Sequence, residues 1–224
     1  MLKQNLIRVL LSAGAVAGAV ASAHADPLPD VRITEFMYKN VNSPGEFVQF
    51  TNLGSTAVNL SGWSEDDSSD TPGVHPLSGI LQPGQSAILA EATPAAFDAA
   101  WGLSSSTDVI QENSTDNLGS SDTIYLFDGT SVVDELTYGT VGPKASGTAA
   151  VPMNAAAIGA NNSADWMLLT AGQDGAIHAT GSGSPGDVAS PGFSSFAPVP
   201  LPAAAWLFMG GLGMFVPALR RRKA

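Results

Sequence analysis

Residues 122–139, DTIYLFDGTSVVDELTYG, give the clearest local indication of the fold. A run of apolar and aromatic residues ends at Phe127, and the pair Asp128-Gly129 follows at once. An Asp-Gly pair between two apolar runs is a strong hairpin signal, because its backbone adopts the turn that the strand twist requires. We therefore predict strands at Asp122–Phe127 and Ser131–Gly139, joined by a tight turn.

Other short β-type runs precede this hairpin and are separated from one another by turn residues. They are Val31–Tyr38, Glu46–Phe50, Val58–Trp63, Gly79–Gln85 and Ser86–Ala90. About seven short strands at such spacing predict an all-β, immunoglobulin-like β-sandwich.

One helix is predicted in the middle of the chain. Thr93 suits the N-cap and Pro94 the first helical position, whereas Gly102 suits the end. Phe97 and Trp101 are four residues apart and share one face. Such a pair is usually part of a core, although an exposed pair can stack on a sugar ring, so burial decides between the two.

The N-terminus has the pattern of a secretory signal peptide. Lys3 and Arg8 precede an apolar run, and Ala23-His24-Ala25 supplies the small-x-small pattern read by signal peptidase. We expect cleavage after Ala25, with an ordinary N-terminal helix as the alternative.

The C-terminus has the pattern of a transmembrane anchor. The run from Val199 to Leu219 contains no charged residue and is as long as a bilayer-spanning helix requires. A basic cluster follows and is expected to hold that end in the cytoplasm. The cluster consists of Arg220, Arg221, Arg222 and Lys223.

The region between these two ends is strongly acidic. All 20 acidic residues lie between Asp26 and Asp187, together with only three basic ones, Arg32, Lys39 and Lys144, which gives a net charge of −17. This charge repels nucleic acid. The chain has no cysteine, so disulfides and thiol catalysis are excluded.

Side chains suited to catalysis are few. Once the signal is removed only His75 and His178 remain, neither of them in a known catalytic motif, and both are interpreted as solvated loop residues. A hydrolase would need carboxylates to converge, for example Glu35, Glu46 and Asp134.

The acidic loop Ser64–Asp70 is the one candidate metal site. Its carboxylates and hydroxyls are the hard oxygen ligands that calcium prefers, but their order is not that of an EF-hand. The loop is either a calcium site or a solvated part of an acidic surface. The candidate calcium ligands are Glu65, Asp66, Asp67 and Asp70.

Several short motifs, taken in order, resemble the lamin-tail domain family, whose members are found in nuclear lamins and in secreted bacterial proteins. The resemblance implies an immunoglobulin-like sandwich over residues 31–138, and more loosely on to residue 192. The motifs are Ile33-Thr34-Glu35, Gly45–Asn52, Leu60-Ser61-Gly62-Trp63, Leu81–Gly84, Val133-Asp134 and Ser190-Pro191-Gly192.

The C-terminus also resembles the PEP-CTERM sorting signal of Gram-negative bacteria, in the variant Val199-Pro200-Leu201-Pro202-Ala203. The resemblance implies recognition by an exosortase, a membrane peptidase that cuts near the motif. Leu201 departs from the commonest form, which has Glu there. A plain transmembrane anchor is the alternative.

These observations divide the chain into a signal peptide (1–25), a lamin-tail-like sandwich (26–170), a flexible Gly/Ser/Pro-rich linker (171–198) and a sorting signal (199–224). We expect a non-catalytic, exported surface or matrix module without a cofactor, unless the acidic loop binds calcium. Its expected partners are signal peptidase, an exosortase, the inner membrane, and exopolysaccharide or surface proteins. A secreted hydrolase and a calcium-dependent adhesin are the alternatives.

Overall fold

The computed structural model describes residues 31–42, 45–103, 109–112, 118–180 and 186–198. These ranges contain fourteen strands, an α-helix and two short 3-10 helices. The first seven strands are β1 (Val31–Met37), β2 (Phe47–Asn52), β3 (Val58–Asn59), β4 (Trp63–Asp66), β5 (His75–Pro76), β6 (Ile80–Leu81) and β7 (Ser86–Ala90). After helix α1 (Pro94–Trp101) come β8 (Val109–Glu112), β9 (Asp122–Asp128), β10 (Ser131–Tyr138), β11 (Ala150–Pro152), β12 (Trp166–Leu168), β13 (Ile177–His178) and β14 (Val188–Ala189). The 3-10 helices, Ala155–Ala157 and Ser163–Asp165, lie between β11 and β12.

Two sheets form the main body of the domain. One has six strands in the order β12-β11-β1-β2-β7-β8, and the other has four in the order β10-β9-β4-β5. Within both sheets neighbouring strands are antiparallel, except that β8 runs parallel to β7. Two further pairs, β3 with β6 and β13 with β14, lie outside these sheets. The prediction of an all-β fold is confirmed.

The predicted hairpin at Asp128-Gly129 is also confirmed. Strand β9 pairs antiparallel with β10, with Asp128 opposite Ser131. Gly129 takes the left-handed conformation (φ +65°), which a glycine adopts without steric cost. The register shifts between Val132 and Asp134, so a bulge interrupts the ladder there.

Alternation along β2 sends side chains into two different cores. Val48 and Phe50 belong to the core between the two sheets, together with Leu126 and Tyr138 of the four-stranded sheet. Phe47 faces the other way, into a second core on the outer face of the six-stranded sheet. This sheet is therefore covered on both faces.

Helix α1 covers part of the outer face. Thr93 caps its N-terminus by accepting a hydrogen bond from the N–H of Ala96, and Gly102 ends it in the left-handed conformation. Phe97 and Trp101 are fully buried and contact Phe47 edge-on. The predicted helix is confirmed, and its aromatic pair is core.

The segment predicted as a flexible linker, residues 171–198, is packed on the sandwich in its described part. The described residues from 171 onward pack on the sandwich: β13 pairs with β14, and the N–H of Val188 donates to the carbonyl of Gly147. Small side chains fill the contact, since Ala176, Ala179 and Ala189 are buried. Composition failed as a guide because the segment is held by polar groups of the sheet rather than by large apolar side chains of its own.

Within the described ranges, no helix combines the length and apolar character needed to cross a membrane. The predicted signal peptide and the predicted anchor both lie outside those ranges.

Candidate functional site

Four carboxylates surround a small cavity at one end of the sandwich. The cavity measures about 20 Å³, enough for one water-sized group. We call it the acidic cavity. Its acidic lining residues are Glu46, Glu65, Asp67 and Glu91, and its apolar lining residues are Phe47, Val48, Leu89 and Leu118.

Glu46 is a partly buried carboxylate of this cavity with a raised pKa. Burial raises its pKa to about 7, and repulsion from Glu91 adds to the rise, whereas a hydrogen bond from the N–H of Leu118 opposes it. Its Oε2 atom is buried and has no hydrogen-bond partner among the described residues. The preceding Gly45 has φ +93°, and a Cβ there would lie 2.7 Å from the Cβ of Glu91, so this approach requires glycine.

The four predicted calcium ligands do not converge as a set, although Glu65 and Asp67 both line the acidic cavity. Asp66 turns inward and accepts hydrogen bonds from the N–H and hydroxyl of Ser69 and from the N–H of Thr71, at 2.8–2.9 Å. Burial would raise the pKa of Asp66, but these bonds outweigh it and lower the pKa. Asp67 lines the acidic cavity, whereas Asp70 is exposed. No group of three His, Cys, Asp or Glu side chains in the described part of the chain is arranged to hold a metal ion.

The histidines differ from their interpretation as solvated loop residues. His75 lies in β5 opposite Glu65, and its Nδ1 is 2.9 Å from Oε2 of this buried glutamate. His178 is exposed, but it lies in β13 and its Nδ1 is 2.9 Å from the carbonyl oxygen of Gly186. Both rings thus have structural contacts.

The three carboxylates that a hydrolase would need lie in separate surroundings. Glu46 lines the acidic cavity, Glu35 contacts Ser190, and Asp134 contacts Arg32 and the N–H of Ile33. Each carboxylate contacts a different part of the chain, so the three do not form one catalytic pocket.

Asp134 joins the two sheets through a buried ion pair. Its Oδ2 accepts a hydrogen bond from the N–H of Ile33 at 2.8 Å, and its Oδ1 lies 3.4 Å from a guanidinium nitrogen of Arg32. The same guanidinium donates to the carbonyl of Val133. Burial raises the pKa of Asp134 to about 6, although the hydrogen bond from Ile33 and the charge of Arg32 oppose the rise.

Residues 186–198, which we call the strap, cross the outer face of the six-stranded sheet. Glu35, fully buried, accepts hydrogen bonds from the N–H and the hydroxyl of Ser190. Gln49, also fully buried, accepts from the N–H of Gly192 and donates to the carbonyl of Phe193. Asp187 accepts from the N–H groups of residues 41 and 42. The sequence motifs contained Glu35 and Ser190, but no local pattern indicated that they meet.

The family model described as Lamin Tail Domain matches residues 24–140, just over half of the chain. The chain belongs to this family. Lamin tail domains are immunoglobulin-like, non-enzymatic modules, in agreement with the mostly β architecture. No curated protein matches the chain.

The matched region of this lamin tail domain ends just after β10, yet the sandwich continues. Strand β11 pairs with β1 inside the six-stranded sheet, and β12 pairs with β11. The strap then covers the sheet's outer face. The described residues after 140 therefore complete the domain rather than follow it.

The predicted processing residues lie outside the described ranges. They are Ala23 and Ala25 at the signal cleavage site, Val199, Pro200, Leu201, Pro202 and Ala203 of the sorting motif, and Arg220, Arg221, Arg222 and Lys223 of the basic cluster.

Proposed function

We propose that this lamin tail domain is a non-catalytic module that is exported, tethered to the inner membrane in transit, and displayed at the cell surface or in the extracellular matrix. In this proposal signal peptidase cuts after Ala25 and an exosortase processes the motif Val199–Ala203. The mature sandwich then contacts exopolysaccharide or other surface proteins.

The observation that carries the non-catalytic part is the separation of Glu35, Glu46 and Asp134. Burial raises the pKa of all three, but each has its own contacts. Perturbed carboxylates can mark an active site when they face one another across a pocket. Here two of them hold chain segments together, which is a structural role.

The sequence at the two ends supports export and tethering. An apolar N-terminal run ends in a small-x-small site, and an uncharged C-terminal run is followed by four basic residues. A net charge of −17 between these ends suits a solvated surface domain and disfavours anionic partners.

The alternatives are less well supported. The carboxylates named for a secreted hydrolase, Glu35, Glu46 and Asp134, lie apart from one another. For a calcium-dependent adhesin, the described ranges contain no group of three side chains arranged to hold a metal ion. Calorimetric titration of the purified domain with Ca²⁺ tests the second directly. Measurable heat with a rise in melting temperature would restore the calcium adhesin.

Localisation of truncated chains tests the proposal itself. Deleting residues 199–224 should release the domain from the membrane fraction, whereas replacing only the four basic residues by serine should leave the apolar anchor in place and alter its orientation. The intact mass of the mature wild-type protein should correspond to a chain beginning at Asp26 and lacking the basic cluster. A mature protein that retains residues 204–224 would contradict exosortase processing, but not tethering.

A further inference from the structure

The strap leads the chain directly to one end of the sandwich. Its last residues, Ala197 and Pro198, lie against the turn between β6 and β7: a Cβ placed on Gly84 would be 3.4 Å from the carbonyl oxygen of Pro198 and 3.7 Å from the Cβ of Ala197. The uncharged C-terminal run begins at the next residue, Val199.

The register places five turns at this same end. The N–H of Gly84 donates to the carbonyl of Asn52, which joins the β6–β7 turn to the end of β2. Pairing of β3 with β6 and the hydrogen bond from the N–H of Gly129 to the carbonyl of Gly62 extend this end to the four-stranded sheet. We call it the neutral end. Its turns are residues 53–57, 60–62, 78–79, 82–85 and 128–130.

Charge is distributed unequally between the neutral end and the opposite end. Asp128 is the one charged residue in the five turns, and Asp26 and Asp30 precede Val31, which pairs with Asn52 at this same end. The opposite end, where β1 passes to β2 and β4 meets the start of β9, carries the acidic cavity. The acidic residues there are Glu46, Glu65, Asp66, Asp67, Asp70, Glu91, Glu112, Asp122 and Asp187, with Lys39 and Lys144 as the basic ones. We call it the acidic end.

We propose that the tethered protein stands on the lipid bilayer with its neutral end against the headgroups and its acidic end directed away from the membrane. The proposal rests on the membrane tether proposed above. A flexible linker would let the domain move freely above the membrane. The strap instead packs on the sandwich and holds the domain close to the bilayer.

Chain length supports the close approach. An extended chain covers at most about 3.6 Å per residue, so a membrane span that begins at Val199 lies within about 4 Å of Pro198, and one that begins after Ala203 within about 22 Å. The headgroup layer on each side is only about 5–7 Å thick.

Charge supports the orientation. A bilayer with anionic lipid repels negative charge over about a Debye length, roughly 8–10 Å. With three acidic residues in its turns and the chain leading into it, the neutral end is repelled less by such a surface than the acidic end, which has nine. Ile80, which is 57% exposed in β6 at the neutral end, also gains by contact with the interface.

Single-cysteine labelling tests the orientation, because the natural chain has no cysteine. The full-length chain is reconstituted into liposomes that contain anionic lipid and an acceptor dye on the headgroups. Donor dyes are placed by Ser55→Cys and Thr130→Cys at the neutral end, and by Ser68→Cys and Thr140→Cys at the acidic end, all four positions being exposed. Energy transfer should be several-fold stronger from the neutral end than from the acidic end.

A linker control separates the two proposals. A Gly/Ser insertion of about 20 residues between Pro198 and Val199, with an r.m.s. span of roughly 25 Å, should remove the difference between the two ends. Equal transfer from all four positions of the natural chain would overturn the orientation while leaving the tether intact. If the chain does not float with the liposomes at all, the membrane tether fails, and the orientation falls with it.

Discussion

The carboxyl group of Glu35 accepts two hydrogen bonds from Ser190, one from the backbone N–H at 2.7 Å and one from the hydroxyl at 2.9 Å. The two residues are 155 positions apart and both are buried. This contact fixes the strap to β1, so the last described segment of the domain is bound to its first strand.

The buried Glu35 should make stability depend on pH. Burial raises its pKa from 4.5 to about 8, although Ser190 opposes the rise. The folded domain therefore binds more protons than the unfolded chain between these values, and its free energy of unfolding should fall as the pH rises through about 8. Urea unfolding across this range measures the slope.

The variant Glu35→Gln isolates this effect. The amide keeps an acceptor for the N–H of Ser190 but cannot ionise, so the variant should lose less stability than the wild type between about pH 4.5 and pH 8. Glu35→Ala should instead cost about 1–3 kcal/mol at every pH, because it leaves the N–H of Ser190 unsatisfied. The partly exposed Glu135→Gln is the control, and an unchanged slope in Glu35→Gln would contradict the assignment.

Gln49 should hold the middle of the strap. Gln49→Leu keeps much of the side-chain volume but leaves the N–H of Gly192 and the carbonyl of Phe193 without their partner. We expect a loss of about 2–4 kcal/mol and faster proteolysis within residues 186–198. The exposed Gln173→Leu should change neither, and equal behaviour of the two variants would show that the strap does not depend on Gln49.

Asp134 should be among the most sensitive residues outside the apolar core. Asp134→Ala removes the partner of Arg32 and of the N–H of Ile33, and breaking such a buried pair costs about 3–5 kcal/mol. The next residue on the strand, Glu135, has an exposed contact with Asn161, so Glu135→Ala should cost less than about 1 kcal/mol. Chemical denaturation of both variants compares their free energies of unfolding. A loss of stability in Asp134→Ala as small as that in Glu135→Ala would contradict the prediction.

Replacing Glu46 by glutamine should raise the stability of the folded domain at alkaline pH. Burial and repulsion from Glu91 raise its pKa to about 7, so its ionisation lowers stability as the pH rises through that value. Glu46→Gln removes this loss and should raise the melting temperature at about pH 8 while changing it little at about pH 5. Because the side chain is only partly buried, the gain should stay below about 1 kcal/mol. A lower melting temperature at the higher pH would instead indicate that the charge of Glu46 is used in the folded state.

Local patterns predicted the elements that local physics controls. The turn at Asp128-Gly129 and the helix from Thr93 to Gly102 follow from conformational preference and capping, which act over a few residues. The same reasoning failed for the described residues 171–180 and 186–198, which pack on the sandwich. Composition describes what a segment can bury by itself, but it does not show the polar groups that a distant strand offers to it.

At the candidate site, too, local sequence patterns were a poor guide to contacts between distant parts of the chain. The acidic loop suggested calcium because its carboxylates are adjacent in sequence, yet adjacent residues on a strand point to opposite sides. Asp66 turns to Ser69 and Thr71, whereas Asp67 joins Glu46, which precedes β2, and Glu91, which follows β7, at the acidic cavity.

The sequence by itself determined the all-β class, the helix with its caps and the family, because these depend on residue order over short distances. Only the tertiary structure decided that Glu35 meets Ser190, that the strap is part of the domain, and that charge separates into a neutral and an acidic end. Those features depend on strand register and sheet order, which bring together side chains as far as 155 residues apart.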